Sequence, residues 1–168
     1  AYKAVKSGYQ AVILAPTMIL AKQHLNNFKE ILEKYGITCD ALVGGMTAKQ
    51  KRIALEKIQN GETNVIIGTH ALLEENVIFK KLGLVVTDEQ HRFGVKQRST
   101  IVTKGDNPDV LVMSATPIPR TLALILYGDL DISVIDELPP NRKKIETIAV
   151  SKRAEERVNN FIREQVSE

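Results

Sequence analysis

The sequence predicts an α/β fold, a parallel sheet with helices on both faces. Three observations carry this. Short apolar runs alternate with segments of helical spacing. The runs are continuous rather than alternating, as in strands covered on both sides. Four of them end in polar residues suited to begin a helix or hold a ligand. The 168 residues are 43% hydrophobic and 26% charged, with 10 Gly and 6 Pro. That balance argues against disorder, collagen-like repeats and disulfide scaffolds, and the length suits one domain.

The elements follow in order. Ala11–Ala15 (AVILA) is a strand buried on both faces. Pro16 and Thr17 come next, then apolar residues at Ile19, Leu20, Leu25, Phe28, Ile31, Leu32 and Tyr35. That spacing is helical, with Thr17 as N-cap and Gly36 as stop. Ala41–Val43 with Gly44 and Gly45 reads as a short strand and turn. Thr47 to Gln50 is a capping-box pattern opening a helix through Ile53, Ala54, Leu55 and Ile58 to Gly61. Asn64–Ile67 is a buried strand running into Gly68, Thr69 and His70. Leu82–Val86 is another, ending at Asp88, Glu89, Gln90 and His91. Val110–Met113 ends at Ser114, Ala115 and Thr116. Pro117 and Pro119 introduce a helix over Thr121–Tyr127, closed by Gly128, and Asp131–Ile135 reads as a further strand. The composition shifts at Glu137–Lys144 (ELPPNRKK), which is Pro-rich and then basic and marks a linker. Beyond it, Ile145–Val150 reads as a strand and Arg153–Val166 as a helix. The expected organisation is therefore a domain over 1–136, a linker over 137–144 and the start of a second domain over 145–168.

No apolar run approaches the ~20 residues of a membrane span, and no secretory signal opens the chain. Cys39 is the single cysteine. It excludes an internal disulfide and a cysteine-based zinc site, reads as a small buried hydrophobe, and fits a cytoplasmic setting. The net charge of +3 permits a nucleic-acid partner without demonstrating one.

In a doubly wound sheet, ligands bind beyond the carboxyl ends of the strands. A carboxylate pair leaving a buried strand can hold a hydrated Mg²⁺ through one member while the other orients a water. Threonines at helix starts can offer a hydroxyl and free N–H groups to phosphate. Each piece has a plainer account. Thr17 serves as an ordinary N-cap, Asp88-Glu89 as a solvated loop, His24 as a surface or packing residue, and Ser114 and Thr116 as turn formers. The argument for a site is the aggregate, four polar groups in order at successive strand ends.

The stretches Ala15–His24 (APTMILAKQH), Gly68–Leu73 (GTHALL), Asp88–Arg98 (DEQHRFGVKQR) and Ser114–Leu124 (SATPIPRTLAL) resemble motifs Ia, Ib, II and III of superfamily-two helicases. DEQHRFGV together with Gly128–Lys143 (GDLDISVIDELPPNRK) resembles the RecG-type branched-DNA helicases. The transcription-repair coupling factors share the HRFGV and ATPIPRTL stretches, but typically carry DEEH where this chain has Asp88-Glu89-Gln90-His91, and they lack the DELPP-type linker.

The resemblance implies a RecA-like motor domain using ATP and Mg²⁺. It implies that Asp88 meets the metal through water and that Glu89 activates the attacking water, with Gln90 in the same motif. It has His91 link the nucleotide site to Ser114 and Thr116. Pro16, Thr17, Gly68, Thr69, His70 and Arg120 fall on the DNA side. Gln97, Arg98 and Arg120 match family positions without a derivable role; for Arg120, a DNA or interdomain contact stands beside plain surface charge. The implied substrate is branched DNA, such as stalled forks and Holliday junctions, gripped through backbone phosphates.

One absence matters. A phosphate-binding loop needs G-x-x-x-x-G-K-[ST], and none of the ten glycines is followed by Lys. The family places that loop just before a helix whose tail resembles Ala1–Gly8, so the chain is expected to start after it and to turn over no ATP alone. The strand that precedes the loop would also be lacking. The expected consequence is a gap or an open sheet edge beside Val110–Met113, with marginal stability, self-association or a displaced Asp131–Ile135 strand. Two other readings compete: a transcription-repair coupling motor, and a DNA-binding α/β module that turns over no nucleotide.

Overall fold

The computed structural model describes residues 1–89, 92–115, 131–137, 139, 145 and 147–167. The chain divides into two units, Ala1–Ile118 and Pro119–Glu168. The expected linker over 137–144 lies in the second and mostly outside the described residues, as do the helix expected over Thr121–Tyr127 and its Gly128 stop.

The first unit is a five-stranded parallel sheet in the order β2-β3-β1-β4-β5. Its strands are β1 (Gln10–Leu14), β2 (Cys39–Leu42), β3 (Val65–Gly68), β4 (Leu82–Thr87) and β5 (Asp109–Val112). The helices are α1 (Tyr2–Lys6), α2 (Met18–Leu32), α3 (Ala48–Asn60) and α4 (Val95–Val102). Successive residues of a strand point to opposite faces, so the continuous apolar run of β1 feeds two cores at once. Val12 and Leu14 join Ile66 and Val85 under Ala54 and Ile58 of α3 and Ile101 of α4. Ala11 and Ile13 join Val65, Ile67 and Val86 under Ala21 and Leu32 of α2, with Val5 of α1 alongside. Helices thus cover both faces, as the sequence predicts.

The caps fall where the sequence places them. The Thr17 hydroxyl accepts from the Leu20 N–H, and Thr47 and Gln50 form the reciprocal capping box. α2 runs into a short 3₁₀ turn, Glu33–Tyr35, and stops at Gly36, which has φ 72°; α3 stops at Gly61 with φ 76°. The apolar list for α2 needs correction. Its packed stripe is Ala21, Leu25, Phe28 and Leu32, while Ile19, Ile31 and Tyr35 lie off it and are exposed. A stripe at i, i+4, i+7 and i+11 faces one side of a helix; Ile19 and Ile31 rotate away from it, and Tyr35 lies in the 3₁₀ turn after α2, where the helical period changes.

At the opposite end of the sheet from the caps, Gln10 is buried and fully bonded. Its side-chain amide donates to the carbonyls of Ile58 and Thr63 and accepts from the Lys81 N–H. One polar residue therefore ties the start of β1 to the end of α3 and the approach to β4. Cys39 is buried, and burial pushes its thiol pKa above the usual 9.0. That fits its reading as a small hydrophobe.

The structure adds one helix and revises further sequence readings. The helix α4 falls in a stretch that carries no strong apolar periodicity. β5 is not buried on both faces: Val110 and Leu111 are exposed, because β5 is the terminal strand of the sheet among the described residues. Asp131–Ile135 and the described part of Ile145–Val150 form no strand. Apolar β-branched runs need a paired neighbour to become strands, and these residues have none among those described. The final helix is α5 (Glu155–Ser167), entered through a 3₁₀ turn at Lys152–Ala154.

Gly68 tests the tightness of the β2–β3 contact. A Cβ there would collide with the Leu42 carbonyl oxygen and come within 2.8 Å of the Leu72 side chain. Backbone cannot yield as a side-chain end does, so Gly68→Ala is expected to lower stability by about 1–3 kcal/mol. The urea midpoint of the protein should fall accordingly.

Candidate functional site

Parallel strands place all their carboxyl ends on one edge of the sheet, and backbone hydrogen bonds align them there. The Asp88 N–H donates to the Leu14 carbonyl at 3.0 Å, Ala15 N–H to the Gly68 carbonyl at 2.8 Å, and Met113 N–H to the Thr87 carbonyl at 2.9 Å. The polar residues that follow β1, β3, β4 and β5 therefore line a single edge, although they come from four separate stretches of sequence.

Pro16 is half-buried and Thr17 exposed at the start of α2. Gly68 sits inside β3, buried, with its carbonyl bonded to Ala15. Thr69 is half-buried and His70 exposed in the turn that follows. The His70 ring packs against the buried Phe93 at 5.4 Å between centroids. That contact fastens the loop after β3 to the loop after β4. Ser114 is exposed just beyond β5. Gln90, His91, Thr116 and Arg120 lie outside the described residues, and so does the side chain of Arg98.

Asp88 and Glu89 are half-buried where β4 ends. Asp88 is held on both oxygens. Its Oδ1 accepts from the Glu89 N–H at 2.9 Å, and its Oδ2 lies 2.8 Å from Nε2 of His24. Glu89 has φ 48°, a left-handed conformation that costs a non-glycine residue energy and that surrounding structure must hold. The turn is closed by the Arg92 N–H, which donates to the Glu89 carbonyl at 2.9 Å. The strand end thus carries one carboxylate bonded at both oxygens and, beside it, an acid on a backbone of positive φ.

His24 is the residue that sequence reasoning passed over as surface or packing. Two helical turns separate it from Thr17, but nothing in the sequence links it to a carboxylate 64 residues away.

Among the described residues there is no group of three or more His, Cys, Asp or Glu side chains able to cage a metal. Two hard carboxylates at a strand end suit Mg²⁺, which keeps most of its waters and leans on substrate phosphates for the rest. The described residues fit a magnesium ion that keeps most of its own waters. Among the described residues, no helix is long and apolar enough to cross a membrane.

Residues 1–125 match the family model for the DEAD/DEAH box helicase. The chain is 50% identical over 96% of its length to the ATP-dependent DNA helicase RecG of Aquifex aeolicus, and 45% identical over 99% to that of Bacillus subtilis. It spans about a fifth to a quarter of those relatives, 21% and 24%. Among solved structures, RecG bound to a three-way DNA junction superposes with a TM-score of 0.77 at 46% identity, over 95% of this chain and 21% of that one. The sheet and its helices therefore have the RecA-like helicase arrangement.

Thr17 separates capping from ligand contact. Thr17→Ala removes the cap and is expected to cost about 1 kcal/mol, whereas Thr17→Ser keeps it. Thermal unfolding of the two variants should differ by that amount.

Proposed function

Because the chain belongs to the DEAD/DEAH box helicase family, we propose that it is part of the motor of an ATP-dependent helicase or translocase that remodels branched DNA, such as stalled forks and Holliday junctions, in the cytoplasm. The observation that carries this reading is the anchored Asp88 with the strained Glu89 at the end of β4, on the edge that also presents Thr17 and Thr69. The likeness to RecG on a three-way junction supports the choice of branched DNA.

The roles divide along that edge. Asp88 would hold magnesium through water. Bound Mg²⁺ supplies charge neutralisation on the nucleotide phosphates. Glu89 would orient the attacking water and accept its proton, and its positive φ sets the direction in which its side chain leaves the backbone. Gln90 and His91 continue the same motif, and His91 would link it to Ser114 and Thr116. Pro16, Thr17, Thr69, His70 and Arg120 would meet DNA backbone phosphates, and Gly68 contributes by letting β2 and β3 close tightly. Contacts of that kind carry no sequence information and weaken as salt rises.

The first test uses the full-length protein. Glu89→Gln is expected to lower fork-stimulated ATP hydrolysis by ~10²–10⁴-fold while fork binding persists. Unchanged turnover would end the catalytic reading of Glu89. This chain contains no G-K-[ST] sequence, so alone it is expected to hydrolyse no ATP.

The exposed Val110 and Leu111 on β5, the terminal strand among the described residues, favour a second partner, another copy of this chain docking along β5. Sedimentation of the chain should show concentration-dependent dimers, and Leu111→Lys should shift it to monomer. A monomer at high concentration would remove this partner.

A further inference from the structure

The contact between His24 and Asp88 joins two motifs that the sequence keeps apart. His24 lies on α2, seven residues after Thr17. At 3.6 residues per turn, seven residues return to the same side of a helix within about 20°. Thr17 caps α2 from just outside it, and two turns on His24 reaches the carboxylate that ends β4.

The bond has a defined direction. An ionised carboxylate only accepts, so Nε2 of His24 carries the hydrogen and donates to Oδ2 at 2.8 Å. The two side chains are mostly shielded from solvent, with 22% and 19% of their surface exposed. The second oxygen of Asp88 is taken by the Glu89 N–H at 2.9 Å. A carboxylate held at one oxygen can still rotate, because its terminal torsion is broad. Held at both oxygens, from different elements, it has a fixed plane, and its remaining lone pairs point in fixed directions.

The geometry points to His24 as a positioning residue for Asp88: its Nε2–H sets the plane of the carboxylate that faces nucleotide-bound magnesium. This role rests on the reading of Asp88 given above. His24 touches neither metal nor nucleotide; it acts through Asp88, as outer-shell partners act on metal ligands elsewhere. It also gives α2 a bond to the carboxylate motif through its own side chain, besides the capped Thr17 at its start.

The test uses the full-length protein and reads the Mg²⁺ concentration for half-maximal binding of a non-hydrolysable ATP analogue. Loss of an outer-shell partner typically weakens metal affinity 10–100-fold, so His24→Leu is expected to raise that concentration about tenfold. Metal-free analogue binding and forked-DNA binding should stay as they are. His24→Gln should restore the wild-type value, because its amide nitrogen stands where Nε2 stood; His24→Asn is too short and should behave like His24→Leu, and it carries the test should the leucine variant not fold. In an Asp88→Asn background, His24→Leu should add nothing. A second readout needs neither metal nor nucleotide: hydrogen exchange at the Glu89 amide, measured on the peptide spanning it, should quicken in His24→Leu. A midpoint that moves in Asp88→Asn but not in His24→Leu overturns the proposal. So does an equal penalty from His24→Leu with and without Asp88. A midpoint unmoved by Asp88→Asn overturns the reading of Asp88 itself, and the positioning role with it.

Discussion

Strand β1 is the constraint on which the rest of the structure depends. Ala11 to Leu14 are fully buried or nearly so, and each is paired on both sides, with β3 and with β4. Such a strand has no solvated face on which to place a polar side chain, so its polar residues fall at its ends. At its start, Gln10 satisfies three backbone groups. At its finish come Pro16 and Thr17, where α2 must begin. Because β3 and β4 run parallel to β1, their polar ends arrive at the same edge. The site is a consequence of the pairing: burial removes polar groups from the strands, and parallel register collects them.

That edge is held more firmly than a set of loops would be. Backbone bonds tie the strand ends to one another, His70 packs on Phe93 across two loops, and Asp88 is fastened to both α2 and its own neighbour. The cost is concentrated at Glu89, whose positive φ the surrounding bonds must hold. Acids placed at strand ends are held by the sheet's own backbone bonds. Rigid strand ends provide this where flexible loops would not.

The opposite arrangement holds at β5. Val110, Leu111 and Val112 are apolar, as a central strand requires, yet β5 ends the sheet among the described residues and leaves Val110 and Leu111 exposed. An apolar composition on a terminal strand is a mismatch between what the sequence prepares and what the described fold uses. The same logic applies to Asp131–Ile135, which has no paired neighbour among the described residues and forms no strand. Composition prepares a segment to pair; only a neighbour with a free edge completes it.

Much of this protein was legible from sequence because the signals are local. Continuous apolar runs mark buried strands, Thr17 and Thr47 mark helix starts, Gly36 and Gly61 mark stops, and the motif stretches identify the family. Burial periodicity in α2 was only half legible, since Ile19 and Ile31 are as apolar as the residues that pack. Which of them face the sheet depends on the angle at which the helix lies. The pairing of His24 with Asp88 was not legible at all. It joins residues 64 positions apart, and no composition or spacing records a distance in space. The sequence determined which chemistry is present and at which strand ends it falls. The tertiary structure decided which groups touch, because the order of strands in the sheet and the docking of α2 on it are set by packing between distant segments, not by either segment alone.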